Sequence, residues 1–267
     1  IDVVVASILI LTLGLGHGAC DIKLITTRLN TSSLKVKVIS IFLYIFTAFV
    51  AFLVFYSLPF IGFITFLLIS SYHFGEQHLH KKLSASKMKF FHFSLYGMVI
   101  FLLMIETNID MVFEILTPLI GNEISEIPIR VTLFVFIFLT GLFWLVDYKS
   151  IKFSIPKELF YLLVIYVLFY NTNLIVSFAS YFVIWHSIPS IYDQIEYLYK
   201  DVNRKTILLY LRNSGYYWGI SLAGLIFIVS YGEIMGDNFY RILYSFVASV
   251  TIPHIFLMNN ILSESNQ

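Results

Sequence analysis

Four histidines sit in strongly apolar surroundings: His17 in "GLGHGACD", His73 in "SYHFGEQ", His186 in "YFVIWHSIP" and His254 in "TIPHIFLMN". Each falls near the same end of a separate hydrophobic run. An imidazole in hydrocarbon needs partners, and ionisable residues within a membrane usually face the bundle interior and carry function. Neutral imidazole is a common metal ligand, so four at one level from four segments suggest convergence on one ion. Taken singly, each reads as well as an interfacial or satisfied core residue; the shared level is what favours a metal. Asp21 follows His17 by four residues and Glu76 follows His73 by three, which puts each carboxylate on its histidine's helix face. A carboxylate accepting the outer ring N–H fixes the tautomer and raises ligand basicity, so Asp21 and Glu76 are expected to support the site unless each simply ends a helix in water. His78, His80 and His92 lie among lysines and read as interfacial. His80 shares a face with His73, but the helical rise separates them by about 10 Å. Cys20 reads as a small packing residue.

The segments that must position these histidines are helices. Of the 267 residues, 59% are hydrophobic and 12% charged, with a mean hydropathy of +0.86, well outside the range of soluble domains. Apolar runs approaching the ~20 residues of a membrane span recur along the whole chain. The expected fold is an all-α, polytopic transmembrane bundle of about eight to nine helices in a single integral membrane domain, residues 1–267. The segments run at about 2–20, 36–57, 60–76, 90–106, 130–147, 158–171, 174–190, 213–232 and 241–261. A surface helix fits the connection at 106–130. The chain begins at Ile1 inside an apolar run, so residues are expected to precede it, and no basic stretch of an export signal is visible.

The basic residues test this segmentation. Lys23, Arg28, Lys35 and Lys37 follow the first segment, Lys81, Lys82, Lys87 and Lys89 the third, Lys149, Lys152 and Lys157 the fifth, and Lys200, Arg204, Lys205 and Arg212 the seventh. Fifteen of the 17 Lys and Arg residues thus occupy alternate connections, leaving Arg130 and Arg241 opposite. The positive-inside rule then makes the basic connections cytoplasmic. The acidic connection with Glu106, Asp110, Glu114, Glu123 and Glu126 faces outside. All four histidines fall in the cytoplasmic halves of odd-numbered segments.

Several classes are excluded. Alternating ~10-residue strands of a β-barrel are absent. The single cysteine removes disulfide frameworks and cysteine-rich metal sites. Every lysine falls in a connection, against a retinal Schiff base within a helix. The clustered histidine boxes of membrane desaturases, the two-level pairs of dihaem cytochromes and the HExxH of zincins are all missing. A net charge of +1 gives no reason to expect nucleic acid. Gly14 and Gly18 form a small-residue face that lets another helix approach His17. Tyr72, Phe74, Tyr181, Trp185 and Tyr192 could line a slot for a long apolar substrate, or simply pack.

The ordered set "HGACD" (17–21), "YHFGEQ" (72–77), "WHSIP" (185–189) and "TIPHIF" (251–256) resembles the bacterial Brp/Blh family of β-carotene 15,15′-dioxygenases, with matching hydrophobic character over nearly the whole chain. The resemblance implies a multi-pass enzyme of the bacterial inner membrane with histidine-ligated, non-haem Fe(2+). It also implies cleavage of the central double bond of β-carotene, or a related polyene, by O₂ to give retinal, and so a functional link to a retinal-using rhodopsin. Carried over by position, His17, His73, His186 and His254 are the metal candidates and Asp21 and Glu76 the supporting residues. Where many members continue the tryptophan-histidine element with arginine and a second histidine, this chain has Pro189 and Ser190, and His78 stands where aspartate is frequent. Two other readings stay open: a transporter of a metal ion or small solute, whose sign would be an internal repeat, and a non-catalytic carotenoid-binding protein, which needs no metal.

Overall fold

A computed structural model describes residues 2–83, 86–120, 126–231 and 239–264. Its regular structure is helical throughout: α1 (Asp2–Leu9), α2 (Leu15–Gly18), α3 (Asp21–Arg28), α4 (Leu34–Ser57), α5 (Pro59–Leu79), α6 (Lys89–Thr107), α7 (Ile109–Ile120), α8 (Glu126–Val146), α9 (Ile155–Tyr170), α10 (Leu174–Ser180), α11 (Ile188–Tyr199), α12 (Arg204–Ser230) and α13 (Phe239–Glu264). Wider π turns join α1 to α2 at Ile10–Gly14 and α10 to α11 at Tyr181–Ser187. The all-α class is therefore the expected one. Among the described residues, six runs are long and apolar enough to cross a bilayer: Val4–Arg28, Leu34–Ser57, Lys89–Thr107, Pro128–Val146, Leu174–Tyr199 and Tyr244–Leu262. Those six are the spans that length and apolarity support, against the eight to nine expected. Of the remainder, α9 has 16 residues, a rise of about 24 Å, which is short of a ~30 Å hydrocarbon layer. In the connection expected to be acidic, α7 forms over Ile109–Ile120, while Glu123 lies outside the described residues.

Local chemistry sets the helix limits. Ser33 caps α4, its Oγ accepting from Val36 N at 3.5 Å, and Asn173 caps α10 by accepting from Val176 N at 3.1 Å. Pro59 cannot extend α4 but is well suited to open α5. Lys200 closes α11 in the left-handed region, with φ of 61°.

The packing divides into two compact units, one of residues 2–6 and 64–186 and the other of 7–63 and 187–264. In the first, α6 is the central helix, with 67% of its span buried. Tyr96, Val99 and Ile100 pack there with Phe74, Leu133, Trp144, Ile165 and Phe169 of the surrounding helices. Two glycines set the spacing of α5 and α6. A Cβ on Gly75 would stand 1.9 Å from the Phe93 carbonyl oxygen, and one on Gly97 would stand 1.8 Å from that of Ser71. Each helix thus offers a glycine to the other's backbone, and His73 lies between the two contact points on α5. In the second unit, α13 packs along α4 and α12 along α2. Only 6% of the α4 span is buried, at a mean hydropathy of 2.7, so its bare Phe42, Ile45, Phe49 and Leu53 are suited to acyl chains rather than water.

The glycine contacts generate a test. Gly97→Ala should force α5 and α6 apart and cost about 1–3 kcal/mol as overpacking, read as a fall in the melting temperature in detergent. Gly219→Ala, where a Cβ meets nothing within 4 Å, should leave it unchanged.

Candidate active site

In the second unit, a buried carboxylate organises one pair of histidines. The backbone leaves α2 at Gly18, turns through Ala19 and Cys20, and restarts at Asp21 as the first residue of α3. Asp21 is 2% exposed. Its carboxylate accepts from His254 Nδ1, 3.0 Å from each oxygen, and from the Tyr44 hydroxyl at 2.5 Å. The outer nitrogen of His254 is thereby tied, which leaves its Nε2 with the lone pair. His17 is held the same way by backbone: its Nδ1 donates to the Gly14 carbonyl, with Ser187 Oγ 3.4 Å away. The two rings meet edge to face with centroids 4.7 Å apart. Gly18 lies beneath the His254 ring, where a Cβ would stand 3.9 Å from Nδ1, an ordinary van der Waals contact. Behind them, Gln194 donates to the His17 carbonyl at 2.8 Å and accepts from Tyr210 Oη at 2.8 Å.

In the first unit, His73 of α5 and His186 of the second π turn form the other pair, with ring centroids 4.8 Å apart and both side chains 1% exposed. The wider turn rotates Tyr181–Ser187 relative to a regular helix, a device common at functional sites. Aromatic rings flank His186: Phe74 at 4.5 Å and Phe182, nearly parallel, at 5.4 Å between centroids. Tyr181 stacks on Trp185 within 6° of parallel. Glu76 Oε1 accepts from the Tyr72 hydroxyl at 3.2 Å. Glu76 Oε2 is 3.9 Å from His73 Nδ1, beyond hydrogen-bonding distance.

The donor set suits a transition metal. It offers buried imidazoles in pairs, two of them with Nδ1 engaged by an acceptor, and a carboxylate in support. Against known proteins, the profile of the family described as Beta-carotene 15,15'-dioxygenase matches residues 8–261. The chain belongs to this family. It thus joins a class of enzymes, the carotenoid-cleaving dioxygenases. A relative from an uncultured marine bacterium (66A03), named Beta-carotene 15,15'-dioxygenase, is 26% identical over 260 residues, covering 94% of this chain and 90% of its own length. No solved structure matches the chain.

Set beside the sequence expectations, the four histidines of this dioxygenase-family chain are all buried, His17 and His254 adjoining in one unit and His73 and His186 in the other. One expectation needs correction. Asp21 serves His254, 233 positions away, instead of His17, because the break at Ala19 and Cys20 turns it off the His17 face. Glu76 stays on the His73 face, its Oε2 3.9 Å from His73 Nδ1, while its Oε1 accepts from Tyr72. Of the histidines read as interfacial, His80 and His92 are buried within the protein, at 5% and 1% exposed. His78 Nε2 lies 2.8 Å from Glu158 Oε2, and Lys82 Nζ lies 2.6 Å from Glu158 Oε1. His92 Nε2 lies 3.0 Å from Asp147, just past the end of α8. Burial works to raise the Asp147 carboxyl, but hydrogen bonds from Ser86, Ser150 and His92 hold it below the usual carboxylate range. Tyr44, Gln194, Tyr210 and Ser187 were missed. Gln194 follows Ser190 by four residues, and its Nε2 reaches Ser190 Oγ at 3.2 Å; that i,i+4 spacing was the one signal available.

Removing the Gln194 amide leaves the buried Tyr210 hydroxyl and His17 carbonyl without this partner. Gln194→Ala should therefore destabilise the protein by about 1–3 kcal/mol. The check is a lowered melting temperature, with Tyr216→Phe, at a position 74% exposed, unchanged.

Proposed function

We propose that this protein cleaves β-carotene at its central double bond, consuming O₂ and releasing two molecules of retinal, with one Fe(2+) held by His17, His73, His186 and His254. The observation that carries the reading is the pair of buried imidazoles in each unit, within a chain of the Beta-carotene 15,15'-dioxygenase family.

Bound Fe(2+) would supply the one-electron chemistry that lets triplet O₂ react with a closed-shell polyene. The protein's own groups do the rest. Asp21 holds the His254 ring and its tautomer, the Gly14 carbonyl does so for His17, and Phe74 and Phe182 wall His186 with apolar surface that excludes water. Both oxygen atoms of O₂ end in the two aldehydes, so no net proton transfer is required, and Asp21 and Glu76 act as orienting groups rather than proton carriers. Ser190 occupies the place of a second histidine in many relatives and supports Gln194 instead.

The membrane setting suits a substrate that water does not dissolve. We assign the chain to a bacterial inner membrane with its basic connections cytoplasmic, and a retinal-using rhodopsin as consumer of the product; the orientation rests on the nine-segment reading, in which 15 of the 17 Lys and Arg residues share one side.

Expression in cells that accumulate β-carotene tests the reading. Retinal should form, and His17→Ala, His73→Ala, His186→Ala and His254→Ala should each abolish it while the protein still inserts. Asp21→Asn should lower iron affinity or activity by about 10–100-fold, measured as iron per chain after dialysis. Intact β-carotene beside iron-loaded, inserted protein would overturn the proposal.

A further inference from the structure

The second unit contains a cleft of about 830 Å³ between α3, α4 and α13. Its wall is mostly apolar, with Ile25, Leu43, Phe256 and Leu257; Ser40, Thr47 and Tyr44 contribute hydroxyls and Arg28 a guanidinium. The volume lies within the range of small-molecule sites. Leu43 and Phe256 are 54% and 61% exposed, so the cleft opens on the flank where α4 is bare. Its inner end touches the histidine site already described. Tyr44 lines the cleft and donates to Asp21 at 2.5 Å, Asp21 accepts from His254, and Pro253 of the wall directly precedes His254.

We infer that this cleft is the lipid-side port through which a carotenoid enters the enzyme, with Tyr44 as the wall between its inner end and the Asp21–His254 pair. The inference rests on the proposed carotenoid cleavage and assigns the part of the chain that receives the substrate. Several features favour a polyene as occupant. Most of the wall is apolar, and its outward Leu43 and Phe256 suit contact with hydrocarbon; Thr47 Oγ1 already donates to the Leu43 carbonyl and Tyr44 to Asp21, and the one charged lining group, Arg28, stands in the last turn of α3. Its inner end abuts a residue that orients a metal-candidate histidine. Tyr44 is then a positioning residue: its ring shapes the port while its hydroxyl fixes Asp21.

The test blocks the port after folding. In Thr47→Cys, a bulky maleimide is attached to the purified, inserted protein. Cys20 is completely buried and stays unlabelled, so the same preparation is assayed before and after modification. Retinal formation should fall at least tenfold on labelling, and the β-carotene retained by protein purified under argon should fall with it, at unchanged iron content and melting temperature. Thr47→Trp should act alike, whereas Ile220→Trp, on an outward position of α12 that is 55% exposed, should leave turnover intact. Undiminished retinal formation by the labelled protein would overturn the port while leaving the cleavage reading intact. Loss of a co-purified phospholipid on labelling, with β-carotene retention unaffected, would overturn it too and assign the cleft to a lipid chain. Absence of retinal from the unmodified protein would instead count against the cleavage reading, and retention of β-carotene in labelled and unlabelled protein still judges the port.

Discussion

A carboxylate that is 2% exposed in a chain with 12% charged residues is the interaction on which the second unit turns. Burying Asp21 is costly unless its oxygens are satisfied. They are satisfied by His254 from α13 and Tyr44 from α4, while Asp21 itself begins α3. One group thus ties three helices at a single level. This matters most for α4, most of whose surface faces outward while one face packs along α13. In hydrocarbon, helices are not driven together by apolar burial, because lipid chains serve as well. A polar contact with a defined partner can set the rotation that apolar packing leaves open.

The backbone contributes a second kind of precision. Gly75 and Gly97 bring α5 and α6 to backbone contact on either side of His73. Small residues at such crossings are how membrane helices gain close packing. The π turns act differently: one precedes α2 with His17 and the other contains His186. Trp218 Nε1 donates at 2.9 Å to the Leu11 carbonyl within the first, so the altered turn finds an acceptor role for its backbone. Each histidine pair therefore includes one member placed by an irregular turn and one placed on a regular helix.

The first unit has its own polar anchor. Glu158 at the start of α9 gathers His78, Lys82 and Tyr96 into one network. The buried carboxylate meets a cation and two further hydrogen-bonding groups, the condition under which such a charge can be tolerated inside a protein. It fixes the C-terminal end of α5, a little beyond His73. His78 follows a long apolar run within a lysine-rich stretch, and its interfacial reading came from linear neighbours. What it meets in the fold is Tyr96 of α6 and Glu158 and Tyr161 of α9.

Composition alone was enough to make this an all-α membrane chain, since unpaired backbone cannot sit in hydrocarbon and the apolar runs have helix length. The four histidines were legible for a related reason: a polar ring inside an apolar run has to be explained, and there were only four such places. The partner of each ring was not legible. Sequence spacing put Asp21 on the His17 face and Glu76 on the His73 face, as a continuous helix would. The Ala19–Cys20 break and the crossing of α13 gave Asp21 to His254, whereas Glu76 kept the His73 face and gained Tyr72 as its hydrogen-bond donor. Tyr44 and Gln194 carried no local mark of their roles. A hydrogen bond depends on a few ångströms and the direction of a lone pair, which arise only when helices far apart in sequence pack, whereas burial depends on the residues themselves.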